Sequence, residues 1–217
     1  ANSKIKTLKK INLTIKKGQS IGIFGPSGSG KSTLISLILG LLTPTSGSIK
    51  IDNQELKNQL IPWQRNIGYV PQSVYLTDDT IAQNIAFGIS KDKINNKMID
   101  RAINASQLKE FISSLEHGIK TIVGENGVRL SGGQLQRIGI ARALYNNPSV
   151  LVFDEATSSL DYETEKELMI DINKLKKEKT LIIITHRLSI VDKCDLIIKI
   201  KSGEIVEQGK PETILKK

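Results

Sequence analysis

The chain has 217 residues, 31 basic and 22 acidic, for a net charge of +9 with both histidines neutral, and 39% of it is hydrophobic. That content supports one packed domain, with or without a lobe; it excludes wholesale disorder and collagen-like repeats, and the lone Cys194 excludes an internal disulfide or a cysteine-built zinc site. No apolar run approaches the roughly 18 residues of a membrane-crossing helix, and the longest, around Leu34–Leu42, is broken by Ser36 and Gly40.

In chain order, Ile11–Ile15 alternates apolar and polar residues like a half-buried strand. Ser20–Phe24 reads as a strand running into a glycine-rich turn, with a helix over Lys31–Leu39 behind it. Further strands are predicted at Ser48–Ile51, Ser149–Phe153, Thr180–Ile184 and Leu196–Ile200, the last turning through Lys201-Ser202-Gly203-Glu204 into Ile205–Gln208. From about Asp78 to Asn147 the strand signals give way to helical ones. Asp92–Ser106 carries Ile94, Met98, Ile99, Ala102 and Ile103 at helical spacing, and Gln134–Tyr145 carries Ile138, Ala141, Ala143 and Leu144 before Asn146-Asn147-Pro148 stops it. Lys174–Lys179 should end a helix, where cations offset its dipole. The pattern predicts an α/β core over residues 1–77 and 148–217, with a helical lobe inserted at 78–147.

Gly25-Pro26-Ser27-Gly28-Ser29-Gly30-Lys31-Ser32 matches the phosphate-loop pattern, between an apolar strand and an apolar-periodic helix. Glycines let backbone N–H groups approach phosphate oxygens without a side chain in the way, and the helix beginning near Lys31 aims its positive dipole end at them. Lys31 is expected to bridge the β- and γ-phosphates, Ser32 to ligate Mg²⁺, and Thr33 to donate to a further phosphate oxygen.

Val150-Leu151-Val152-Phe153-Asp154-Glu155 is an apolar strand ending in two acids, and an open α/β sheet places ligands at that carboxyl end. Asp154 is expected to hold the Mg²⁺ shell, and Glu155, one step on, to act as general base on the attacking water. Without the phosphate loop, two solvated acids at a strand end would be the plainer reading.

Leu130-Ser131-Gly132-Gly133-Gln134 opens the predicted helix at Gln134 and is a second anion site: a hydroxyl, two glycines and a helix N-terminus. A chain with one phosphate loop and two such sites makes sense if the second serves a nucleotide held by another copy. A plain helix cap with Ser131 near the N-cap is compatible with this.

Together with the phosphate loop and Asp154-Glu155, Leu130–Gln134 resembles the signature of ATP-binding cassette (ABC) ATPases, over nearly the whole chain. The resemblance implies a phosphate-loop NTPase core, a mixed sheet flanked by helices, with an inserted α-helical subdomain. It implies ATP and Mg²⁺ as cofactors, and a head-to-tail dimer in which Ser131, Gly132, Gly133 and Gln134 of one copy complete the site of the other. Gln72 matches the glutamine-loop position, which in the family touches Mg²⁺ and the attacking water. Ser159-Leu160-Asp161 matches the loop that crosses the dimer interface, and His186 matches the switch histidine of the γ-phosphate. Taken singly, Gln72 would be a surface loop residue and His186 a structural histidine.

Two further stretches are similar to the exporter branch: Thr121–Gly127, the loop that contacts transmembrane coupling helices, and Asp79-Thr80-Ile81 with Asn84–Gly88. Exporters usually carry the ATPase behind a transmembrane half, which agrees with a chain that starts without methionine and leads to the expectation of a piece cut from a longer protein. The family's upstream aromatic, which stacks on adenine, has no match before Phe24, so the chain is expected to start just after it. Leu135 stands where exporters often have a basic residue.

The lysines are scattered and aromatics are 4%, so the charge reads as a solvated surface facing an anionic cytoplasmic leaflet, with no nucleic acid expected. The rival is a soluble ABC-class ATPase of DNA repair or chromosome maintenance; an inactive regulatory module is a third reading, opposed by intact Glu155 and His186. Trp63 and Tyr69 read as packing residues, Arg137 and Arg142 as charge partners within the lobe, and Cys194 as structural.

Overall fold

The computed structural model describes residues 7–157, 160–176 and 178–215. Strand β1 (Ser20–Phe24) feeds α1 (Lys31–Ile38); a small antiparallel hairpin, β2 (Lys50–Ile51) and β3 (Gln54–Glu55), leads through α2 (Leu60–Arg65) to β4 (Ile67–Val70). Helices α3 (Ile81–Ile85), α4 (Asn96–Ala105), α5 (Lys109–Ser113) and α6 (Gly132–Leu144) follow without an intervening strand. Then come β5 (Val150–Asp154), α7 (Tyr162–Leu175), β6 (Thr180–Ile184), α8 (Leu188–Val191), β7 (Leu196–Lys201), β8 (Glu204–Gly209) and α9 (Pro211–Ile214).

Six strands make one mixed sheet in the order β4-β5-β6-β1-β7-β8, parallel throughout except for the edge pair β7–β8. The central β5 and β6 are buried on both faces, which is why Val150–Phe153 and Leu181–Ile184 are unbroken apolar runs. Alternate residues point to opposite faces, so the sheet has two cores. One packs Ile21, Ile23, Val152, Ile182 and Ile184 with Leu34 and Ile35 of α1. The other packs Leu151, Phe153, Leu181 and Ile183 with Ile138 of α6, Leu168 and Ile172 of α7, and Ile99 and Ile103 of α4. The helical stretch therefore shares its core with the sheet, and α6, which touches β4, α3 and α4, makes the connection. Arg137 fastens the joint, with its guanidinium 2.8 Å from Asp171 of α7 and 3.3 Å from the Ser106 carbonyl.

Several expectations are corrected. Ile11–Ile15 keeps its alternating exposure but pairs with no strand among the described residues: alternation reports burial, and a strand also needs a ladder partner. The strand expected at Ser48–Ile51 shrinks to Lys50–Ile51. The helix expected at Asp92 begins at Asn96, because the Asn95 side chain accepts from the N–H groups of Lys97 and Met98 and caps it there. Strand β4 and helix α2 were not anticipated. Arg137 pairs with α7, outside the inserted stretch, and Arg142 binds the carbonyls of Tyr75 and Asn84 in place of an acid.

Candidate nucleotide site

Adjacent parallel strands deliver their carboxyl-end loops side by side, in the strand order β4, β5, β6, β1. The loops carry Gln72, Asp154-Glu155, His186 and Gly25–Gly30 respectively, so four stretches far apart in sequence reach one edge of the sheet.

The phosphate loop is built by close approach. A Cβ on Gly25 would lie 2.1 Å from the Ile200 carbonyl oxygen, a position that only glycine fits. The β7–β8 turn braces the loop from behind: Gly203 N–H donates to the Ser29 carbonyl at 3.0 Å, and the Gly203 carbonyl accepts from Lys9 N–H at 2.8 Å. A side chain on Gly203, whose φ is +81°, would meet the Thr7 carbonyl oxygen at 2.1 Å. Lys31 is buried, and its ammonium donates to the carbonyls of Gly25 at 2.9 Å and Pro26 at 3.0 Å, so the cation is held inside the loop's own curve. Ser32 and Thr33 follow in the first turn of α1, where the N-cap Gly30 supplies no side-chain acceptor and no acid is present.

Asp154 closes β5, and Glu155 follows at φ +48°, a left-handed conformation costly for a side-chain-bearing residue and common at functional sites. Its N–H is pinned to the Ile184 carbonyl at 2.9 Å. One Glu155 oxygen lies 3.4 Å from Gln72 Nε2 and 3.8 Å from His186 Nδ1, so the structure brings these three together. Burial pushes the Asp154 carboxyl above its ordinary range, and the neighbouring Glu155 charge adds to this against the Tyr69 hydroxyl and Lys31.

Tyr69 was missed as a site residue. Its hydroxyl donates to Asp154 Oδ2 at 3.1 Å, and its pKa is pushed up to about 12 by burial, by the Asp154 charge and by that hydrogen bond. The available signal was register: once Ile67–Val70 is placed beside β5, Tyr69 pairs with Val152, two steps from Asp154.

These residues fit a nucleoside triphosphate with a divalent cation. Ser29 Oγ is buried without a hydrogen-bond partner among the described residues, in a cradle that also holds the Lys31 ammonium and an uncapped helix start. Among the described residues no group of three or more His, Cys, Asp or Glu could hold a metal.

Ser131–Gln134 lies on a different surface element. Ser131 caps α6 in a reciprocal box: its hydroxyl accepts from Gln134 N–H at 3.2 Å, while Gln134 Oε1 accepts from Ser131 N–H at 2.9 Å. Gly132 and Gly133 follow in the first turn, and a Cβ on Gly133 would press on Thr164 Cγ2 at 2.8 Å. Asp161 caps α7 through Thr164, whose N–H and hydroxyl donate at 3.0 and 2.7 Å; the first of these chiefly holds its carboxyl below the ordinary range. Ser159 lies outside the described residues. Among the described residues no hydrogen bond or ion pair joins Ser131–Gln134 to the phosphate loop.

The two exporter-like stretches meet through a bridge between Thr80 and Ile122, with Ile81 N–H donating to the Thr121 carbonyl and Val123 N–H to the Asp79 carbonyl. Nearby, Arg142 stacks over the Phe87 ring at 4.7 Å.

A family model described as ABC transporter matches residues 8–158. The chain is 43% identical over 209 residues to the ATP-dependent lipid A-core flippase of Pasteurella multocida (strain Pm70), covering 96% of this chain and 36% of that protein. It is 48% identical over 215 residues to the alpha-hemolysin translocation ATP-binding protein HlyB of Escherichia coli, covering 96% and 29%. It thus spans about a third of the length of these curated relatives. Among solved structures, a bacterial Atm1-family ABC exporter with ATP bound matches with a TM-score of 0.88 at 36% identity, over all of this chain and 38% of that one. These likenesses lend no support to the nucleic-acid alternative. The chain belongs to the ABC transporter family, of which it carries the ATP-binding domain.

Proposed function

We propose that this domain binds Mg-ATP on its phosphate loop, closes head to tail on a second copy, and hydrolyses the nucleotide to power export through a transmembrane partner at the cytoplasmic face of a membrane. The observation that carries this reading is the placement of Glu155 within reach of both Gln72 and His186, beside a phosphate loop that already holds a buried lysine. Lys31, the loop amides from Gly25 through Gly30, and the Ser27 and Ser29 hydroxyls stabilise phosphate charge, and Thr33 adds a donor. Ser32, Asp154 and Gln72 would hold Mg²⁺, which when bound with ATP neutralises charge on the β- and γ-phosphates. Glu155 takes the proton of the attacking water, and Gln72 and His186 orient it.

Ser131, Gly132, Gly133 and Gln134 of the second copy would complete the site, with Asp161 at the interface. This explains why Ser131 and Gly132 are exposed, with no bond among the described residues to the phosphate loop of their own chain. Tyr75, Phe87 and Ile122 are each more than half exposed around the Thr80–Ile122 bridge, and they supply an apolar surface for transmembrane coupling helices. The relatives' names join this kind of domain to cargoes as unlike as a lipid and a toxin, so cargo choice resides elsewhere.

Phosphate release by wild type and by Glu155→Gln, with size-exclusion chromatography of the variant, tests the reading. The variant should hydrolyse about 10²- to 10⁴-fold more slowly and elute as a dimer with Mg-ATP alone. A wild type that neither hydrolyses nor dimerises contradicts it.

A further inference from the structure

We propose that the Glu165–Arg187 ion pair positions His186 at Glu155 and, through the first turn of α7, ties it to Asp161 and the Gly133 signature glycine. This inference rests on the reading above. His186 is flanked by two anchors and held weakly itself: its side chain is 57% exposed, and its polar neighbour is the Glu155 carboxylate at 3.8 Å. On one side, buried Thr185 closes the strand edge with its N–H on the Ile23 carbonyl at 3.2 Å. On the other, Arg187 sends its guanidinium to Glu165 Oε2 at 2.5 Å, and its N–H donates to Thr185 Oγ1 at 3.0 Å.

Glu165 is a committed partner. It is 5% exposed, and its second oxygen, Oε1, is buried without a hydrogen bond among the described residues. A buried carboxylate with one oxygen unpaired among the described residues depends on its cation, and removing the Arg187 charge strands it. The same turn of α7 points its side chains three ways. Asp161 caps it, Thr164 bonds Asp161 and packs under Gly133, and Glu165 reaches Arg187. Glu165 N–H closes the turn on the Asp161 carbonyl at 3.0 Å. The residues expected to face a partner copy and the histidine expected to face the γ-phosphate are thus linked through the first turn of α7. Glu165 and Arg187 touch no reacting atom in this scheme; they are positioning residues.

The test compares Glu165→Gln and Arg187→Gln with His186→Ala, singly and combined. Each pair variant should lower kcat about 10- to 100-fold with KM moved less than about threefold, the cost of a displaced catalytic group. In the His186→Ala background the same changes should lower kcat less than about twofold further, because their effect runs through the ring. The chain has two histidines, so imidazole NMR gives a readout independent of hydrolysis. Glu165→Gln should shift or broaden the His186 signals while those of His117 stay put, which also shows that the variant folds. Unchanged His186 signals, a wild-type kcat in Glu165→Gln, or equal losses with and without His186 would overturn the inference. Failure of the functional reading shows elsewhere, as a wild type without ATP hydrolysis.

Discussion

The two edges of the main sheet treat their polar groups in opposite ways. At the amino edge the pairing is mutual. Asp195 Oδ2 accepts from both the N–H and hydroxyl of Ser20 at 2.8 Å, and its Oδ1 lies 2.8 Å from Lys176 Nζ. Gly18 N–H donates to Thr180 Oγ1 at 2.9 Å, and buried Lys179 donates to Asn147 Oδ1 and the Pro148 carbonyl at 2.9 and 2.7 Å. At the carboxyl edge Ser29 Oγ has no hydrogen-bond partner among the described residues, Glu155 sits at φ +48°, and Asp154 is held above its ordinary range. The same strands are sealed at one end and kept in tension at the other. Substitutions at the amino edge should therefore change stability, and those at the carboxyl edge chemistry.

Behind the phosphate loop, the carboxyl edge is sensitive to a single added methyl group. Gly203→Ala drives a Cβ against the Thr7 carbonyl, behind the loop that Gly203 braces. A clash of about 1–3 kcal/mol falling on the binding-competent loop weakens nucleotide binding by about 5- to 150-fold. Calorimetric titration with ATP checks this, and undiminished affinity would detach the β7–β8 turn from the site.

Asp195→Asn should do the reverse: a loss of about 1 kcal/mol, discounted for the carboxylate's partial exposure, with hydrolysis per folded molecule unchanged. Burial raises the Asp195 pKa, but Lys176 and the Ser20 donors outweigh it and leave the group below its ordinary 3.8. A depressed carboxyl stabilises the fold fully above that value and loses the contribution as pH falls below it. Wild type and variant should therefore converge in melting temperature below about pH 3.8. A constant gap down to pH 2 would show that the charge is not responsible.

How much of this was legible follows from where each signal is stored. The phosphate loop, the two acids after an apolar strand, and the Ser131–Gln134 box are contiguous strings, and each states its chemistry locally. Contacts between strings were silent. Nothing in the sequence places Gly203 behind Ser29, Tyr69 against Asp154 or Glu165 on Arg187, because those pairings depend on strand order and register. Local capping also overrode periodicity at Asn95, and among the described residues the alternating Ile11–Ile15 finds no strand partner.

Tyr69→Phe at the carboxyl edge should act mildly. Losing one hydroxyl donor to a carboxylate is worth about 1 kcal/mol, so the variant should melt no more than about 2–4 °C lower while needing a few-fold different Mg²⁺ concentration for half-maximal hydrolysis. A lowered melting temperature with an unchanged Mg²⁺ requirement would make Tyr69 a packing residue after all.

In the proposed dimer, one copy's phosphate loop works with the other copy's Ser131–Gln134. Mixing two inactive variants, Lys31→Ala and Ser131→Arg, tests it directly. Half of randomly formed dimers are mixed, and each then has one intact composite site, so about a quarter of wild-type hydrolysis should return. No recovery on mixing, with both variants folded and exchanging, would contradict the composite site and return the chemistry to a single chain.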